Sequence, residues 1–170
     1  AYEYAEELLK RGFDTAHPIA YIEIKRWGIF HTGYFISELL PYPLMNDIPQ
    51  MNLSKEEKDL IAEDFIRYTV GLHEAGIMPK DYNPGNIFFH KMGAHYHFAL
   101  IDINRLHIGK LPTEKDSALF FEQMGVSITQ AIGAIDQYAT LRGFDTDRCI
   151  FFILLHKLKR YVKRSFKHHV

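Results

Sequence analysis

A chain of 170 residues with 47% hydrophobic and 24% charged residues has the make-up of one folded domain with room for a small attached lobe, which excludes a disordered or fibrous chain. The lone cysteine, Cys149, excludes an internal disulfide and fits a reducing compartment, and neither an apolar run of about 18 residues nor a secretory leader is visible. The net charge of -1 argues against nucleic acid as a partner, yet it conceals a polarity: residues 151–170 hold six basic side chains and no acidic one, leaving -7 on the first 150.

The segment Tyr2 to Arg11 is rich in Ala, Glu and Leu and stops at Gly12, so it reads as a short helix. Ala20, Ile22 and Ile24 then alternate with Tyr21, Glu23 and Lys25, the period of a strand with one buried face. Gly28 and Gly33 bracket a turn, and Tyr34 to Leu40 supplies the returning strand, so residues 20–40 read as an antiparallel hairpin carrying Glu23 and Glu38 on its strands. The proline-rich stretch PYPLMNDIPQMNL is an irregular connector. Ser54 and Glu57 have capping-box spacing, and Ile61, Phe65, Tyr68 and Leu72 line one face of the helix that follows, which ends near Gly76. Two short strands, Ile87 to His90 and Phe98 to Ile101, flank a turn at Gly93. Beyond Pro112 the chain is helical, with capping spacing at Thr113 and Asp116 and a last helix opening at Asp145 or Thr146. This order predicts an α+β fold. The histidines, among them the pairs His95 and His97 and His168 and His169, lack a third ligand at metal spacing and read as surface or turn residues.

The chemistry concentrates in LHEAGIMPKDYNPGNIFFH and FALIDINR. Asp81 sits in a Pro- and Gly-containing loop five residues before Asn86, which enters a strand, while Asp102 ends the next strand. The hairpin thus brings two carboxylates and an amide oxygen to one edge of a small ladder. Such oxygen donors suit Mg²⁺, and a carboxylate not on the metal can accept a proton from an attacking hydroxyl.

Those strings resemble the catalytic half of the protein-kinase-like superfamily, and "KDYNPGN" with "IDINR" is most similar to its lipopolysaccharide kinases, the Kdo and heptose kinases. The resemblance implies a protein-kinase-like fold with a mainly helical large lobe and a partial small lobe. Residues 1–40 would form that small lobe, 41–53 the hinge and connector, and 54–170 the large lobe. It also implies roles: Asp81 as catalytic base, Asn83 near the transferred phosphate, Asn86 and Asp102 as Mg²⁺ ligands, and Glu38 and Leu40 at the hinge that contacts ATP. The implied reaction is ATP-dependent phosphorylation of a sugar hydroxyl of the lipopolysaccharide inner core, Kdo or heptose, with a free or lipid-linked sugar as acceptor, in the cytoplasm. The basic C-terminal segment, following IFFILL, suggests peripheral contact with the anionic inner membrane.

Several positions depart from the protein-kinase pattern. Pro79 and Lys80 stand where those enzymes carry His and Arg, and Asn104 replaces the Gly after the metal Asp. No Gly-rich loop and no strand Lys precede the first helix, so Glu6 or Glu7 has no lysine to pair with. The chain is then either a fragment, which the Ala1 start favours, or a degenerate fold serving as a scaffold. An aminoglycoside- or choline-type kinase is the neighbouring alternative.

Overall fold

The computed structural model describes residues 1–167, with side chains through Val162; His168, His169 and the cationic side chains from Lys163 onward lie outside the described residues. In chain order the elements are α1 (Tyr2–Lys10), β1 (Asp14–Thr15), β2 (Pro18–Arg26), β3 (Ile29–Ser37), α2 (Lys55–Glu74), β4 (Ile77–Pro79), β5 (Ile87–Met92), β6 (His95–Leu100), β7 (Leu106–Ile108), α3 (Glu114–Gln123), α4 (Ile128–Arg142) and α5 (Thr146–Lys167). The α+β expectation holds, and the strands form three small sheets: β1-β6-β5, β2-β3 and β4-β7.

The long helix α2 organises the interior. Ser54 Oγ accepts from the Glu57 N–H at 3.1 Å while Glu57 returns a carboxylate to the Ser54 N–H at 3.0 Å, the reciprocal cap that the sequence spacing predicts. One face of α2 places Ile61, Phe65 and Leu72 in a core with Leu8, Tyr82, Phe98 and Phe120. The opposite face places Ile66 and Val70 against Phe121, Ile135, Cys149 and Ile153 of α3, α4 and α5. Buried Asp64 ties α2 to β6 by accepting from the Tyr96 N–H at 2.8 Å and from His95 Nδ1 at 3.0 Å. Burial pushes the Cys149 thiol up to about 11, so this cysteine is a packed, protonated core residue.

The N-terminal hairpin differs from its sequence reading in three respects. The turn is Trp27-Gly28, both at positive φ, and Gly33 lies inside β3 opposite Glu23. Any Cβ at position 33 would come within 2.9 Å of the Tyr21 hydroxyl. Glu38 lies just beyond the end of β3 rather than on it. The alternating pattern also buries neither face: Ile22, Ile24, Tyr34 and Ile36 are exposed on one side, and Tyr21, Phe30 and Phe35 on the other. A two-stranded ribbon has no second layer of its own. Its contact with α1, through Tyr2 against Phe35 at 6.5 Å, covers only its base.

His73, on α2, is fully buried and bonds Tyr138 of α4 through Nδ1 at 2.7 Å. The Ser117 hydroxyl donates to the Thr113 carbonyl, so it can only accept from Tyr138; Tyr138 then accepts from Arg142 and from the His73 Nδ1–H. His73 is therefore the neutral tautomer protonated at Nδ1. Burial, reinforced by the Arg142 charge, lowers its pKa from 6.5 to about 3. Between those two values the unfolded chain binds a proton that the folded chain refuses, so stability falls as pH drops. The slope is about 1.4 kcal/mol per pH unit from this residue. Urea unfolding across that window should show this component in the wild type and not in His73→Asn, whose amide keeps the bond to Tyr138.

Candidate active site

The loop carrying Asp81 is anchored at both ends. On its N-terminal side β4 pairs with β7, setting Pro79 opposite Leu106, and the Lys80 N–H donates to the Arg105 carbonyl at 2.9 Å. On its C-terminal side the turn Pro84–Asn86 runs into β5. Between them Tyr82 is 1% exposed, stacked on Phe65 at 5.6 Å and bonded to the Thr69 hydroxyl at 2.7 Å. Thr69 spends its own proton on the Phe65 carbonyl, so the Tyr82 hydroxyl is the donor and its proton is held; burial raises that pKa far above 10. The Tyr82 N–H donates to Gln123 Oε1 at 3.1 Å, linking the loop to the end of α3.

Three donors converge on the Asp81 carbonyl: the Asn83 N–H at 3.1 Å, Asn83 Nδ2 at 3.2 Å and Asn86 Nδ2 at 2.9 Å. Asn83 Oδ1 meanwhile accepts from the Gly85 N–H at 3.0 Å, so both ends of its amide shape the loop. Because Asn86 directs its NH₂ group to Asp81, its Oδ1 is the end left for a ligand. The Asp81 carboxylate is exposed and faces the Arg105 guanidinium at 3.8 Å.

Ile87 is registered opposite Leu100, and the Ile101 N–H donates to the Asn86 carbonyl at 2.9 Å, so Asn86 and Asp102 share one end of the β5-β6 ladder. Asp102 adopts the left-handed conformation, with φ 52° and ψ 47°, which turns the chain sharply out of β6 and leaves its carboxylate at the surface. Such a backbone is disfavoured for a side-chain-bearing residue, although Asp tolerates it better than most. Asn104 Nδ2 donates to Asp102 Oδ1 at 3.1 Å, a role that glycine at this position could not fill.

A cleft of about 210 Å³ brings Asp102 and Asn104 together with Thr15, Phe35 and Ser37 at the base of the hairpin. Glu38 follows directly; its Oε1 accepts from the His17 N–H at 3.2 Å, closing the hairpin. Leu40, two residues on, is half-buried. One carboxylate and one amide oxygen at a ladder end form the sparse donor set that Mg²⁺ accepts when water and phosphate complete its shell. Among the described residues no group of three or more His, Cys, Asp or Glu side chains is placed to hold a metal ion.

Arg105 and Gln123 are site neighbours that sequence reading does not reveal. Their contacts depend on the β4-β7 pairing and on where α3 ends, and strands of three residues have no readable period. Of Glu6 and Glu7, which the sequence leaves without a lysine to pair with, Glu7 is paired with Arg11 at 2.7 Å.

The family model of the Lipopolysaccharide kinase (Kdo/WaaP) family matches residues 2–140. Among solved structures the chain is similar to "WaaP in complex with acyl carrier protein", with 16% identity, a TM-score of 0.65, and coverage of 96% of this chain and 74% of that one. No curated protein matches by sequence. The structural likeness extends the kinase-like fold over almost the whole chain.

Replacing Gln123 by Leu removes the acceptor for the Tyr82 N–H and should lower unfolding free energy by about 1 kcal/mol. Gln123→Glu keeps an acceptor and should recover most of that loss in the same urea titration.

Proposed function

The chain belongs to the lipopolysaccharide kinase (Kdo/WaaP) family, and from that premise we propose that it transfers the γ-phosphoryl group of ATP to a hydroxyl of a Kdo or heptose sugar in the lipopolysaccharide inner core. The observation that carries the reading is the placement of Asn86 and Asp102 at one ladder end, with Asp81 on a loop pinned by three hydrogen bonds to its own carbonyl. Residues 1–40 act as a partial small lobe, 41–53 as hinge and connector, and 54–170 as the large lobe. The enzyme works on the cytoplasmic side of the inner membrane, where a lipid-linked acceptor presents its sugar.

Asp81 accepts the proton of the sugar hydroxyl as its oxygen bonds to the γ-phosphorus, the β-γ bridging bond breaks and ADP leaves. Arg105 holds the Asp81 carboxylate from the side, and Asn83 keeps the loop in the shape that presents it beside the transferred phosphate. Asn86 and Asp102 would hold Mg²⁺, which when bound supplies positive charge beside the phosphates. Glu38 and Leu40 border the nucleotide at the hinge.

With a Kdo-lipid A or heptosylated acceptor, Asp81→Asn should lower turnover by about 10²- to 10⁴-fold while leaving Mg²⁺-ATP binding intact. Asp102→Ala should abolish Mg²⁺-dependent ATP binding in calorimetry. Nucleotide binding that survives in Asp102→Ala, or turnover unchanged in Asp81→Asn, overturns these assignments. A wild type that binds no nucleotide favours the scaffold reading.

A further inference from the structure

The helix α5 is apolar on two opposite sides. Its inner side buries Cys149 and Ile153 completely against α3 and α4, and Glu122 of α3 accepts from Arg160 at 3.2 Å and pairs with His156. Its outer side carries Phe151, Leu154, Leu158 and Val162, which are 58%, 41%, 59% and 42% exposed. At 100° per residue these four lie within an arc of about 80°, nearly opposite Cys149 and Ile153. The core of the domain accounts for the inner stripe alone.

Charge distinguishes what could cover the outer one. Lys157 and Lys159 flank it, each about 60° beyond an edge of the stripe, and no acidic residue occurs from Phe151 to the end of the chain. Asp147 stands on the same side one turn earlier, so the apolar-cationic surface begins at Phe151. A second copy docking stripe to stripe would bring Lys157 and Lys159 against their own counterparts within two +6 segments. Like charges so placed repel. An anionic lipid surface attracts the same lysines, and their aliphatic stems can lie along the apolar stripe while the ammonium groups reach the headgroups.

We propose that the outer face of α5 is an interfacial membrane-docking surface, with Phe151, Leu154, Leu158 and Val162 entering the headgroup–acyl boundary and Lys157 and Lys159 engaging anionic headgroups. The helix lies along the bilayer rather than through it; no helix among the described residues is long and apolar enough to cross a membrane. The surface is carried by α5 alone and stands whether or not the site turns over ATP.

Flotation of the full chain with phosphatidylethanolamine vesicles containing phosphatidylglycerol, beside vesicles of phosphatidylcholine alone, tests this. The protein should float with the anionic vesicles only. Lys157→Gln with Lys159→Gln should weaken that binding on the order of tenfold or more. Phe151→Ser with Leu158→Ser should also release the protein, and since both side chains point away from the core, its melting temperature should stay at the wild-type value. Placing a tryptophan on the stripe, Phe151→Trp with Trp27→Phe, should give an emission blue shift when anionic vesicles are added. A wild type that remains in the soluble fraction overturns the proposal, as does a Phe151→Ser, Leu158→Ser variant that floats as well as wild type. Sedimentation showing a dimer that Leu158→Ser dissociates would assign the stripe to a second copy and overturn it equally.

Discussion

Tyr82 is enclosed by Phe65, Phe120 and the hydroxyl of Thr69, and its neighbour Asp81 is exposed because of it. The Tyr82 hydroxyl meets Thr69 while its ring stacks on Phe65, which satisfies the polar and the apolar part of the side chain together. That geometry fixes the backbone of residue 82 to within a side-chain length of α2. Asp81 is thus carried on the rigid interior even though its carboxylate faces solvent. The Asn83 and Asn86 amides then complete the loop from within, adding to the long-range anchors at Arg105 and Gln123. For the proton-accepting role proposed for Asp81, a side chain held in place before substrate arrives is an advantage.

Asp102 shows the complementary device. Its left-handed backbone carries strain, and the chain on either side opposes relaxation: Leu100 is buried in the β5-β6 ladder and Ile103 is buried immediately after the turn. Asn104 adds a hydrogen bond to the carboxylate from two residues on. The position that departs from the Gly of protein kinases therefore compensates for its departure by orienting the residue it follows. The two acidic groups are presented by different means, one by a buried neighbour and the other by a strained turn.

Features set by local chemistry were legible in the sequence. The caps at Ser54 and Thr113 could be read because three residues decide them, and the α2 core face because its period spans several turns. The hairpin β5-β6 was legible for the same reason, and with it the pairing of Asn86 and Asp102. What escaped were contacts between elements too short to have a period: β1 beside β6, and β4 beside β7, which brings Arg105 to Asp81. The alternation in β2 identified two unlike faces correctly as a strand signal, but alternation cannot say whether a covering layer exists. Its apolar side chains stand in solvent.

The first helix is held in place by contacts with its immediate neighbours. Here Glu7 pairs with Arg11 on its own helix, and Arg11 also donates to the Ala75 carbonyl at 2.7 Å, at the C-terminal end of α2. Ala5 and Leu8 are fully buried beneath. The exposed ion pair alone contributes little, but the guanidinium also satisfies a carbonyl that a helix terminus leaves without an intrahelical partner. The orientation of α1 is consequently set by apolar burial and by this one arginine. Asp102 and Asn104 face the cleft between α1's N-terminus and the hairpin base, so the helix that Arg11 anchors to α2 also borders the turn that carries them.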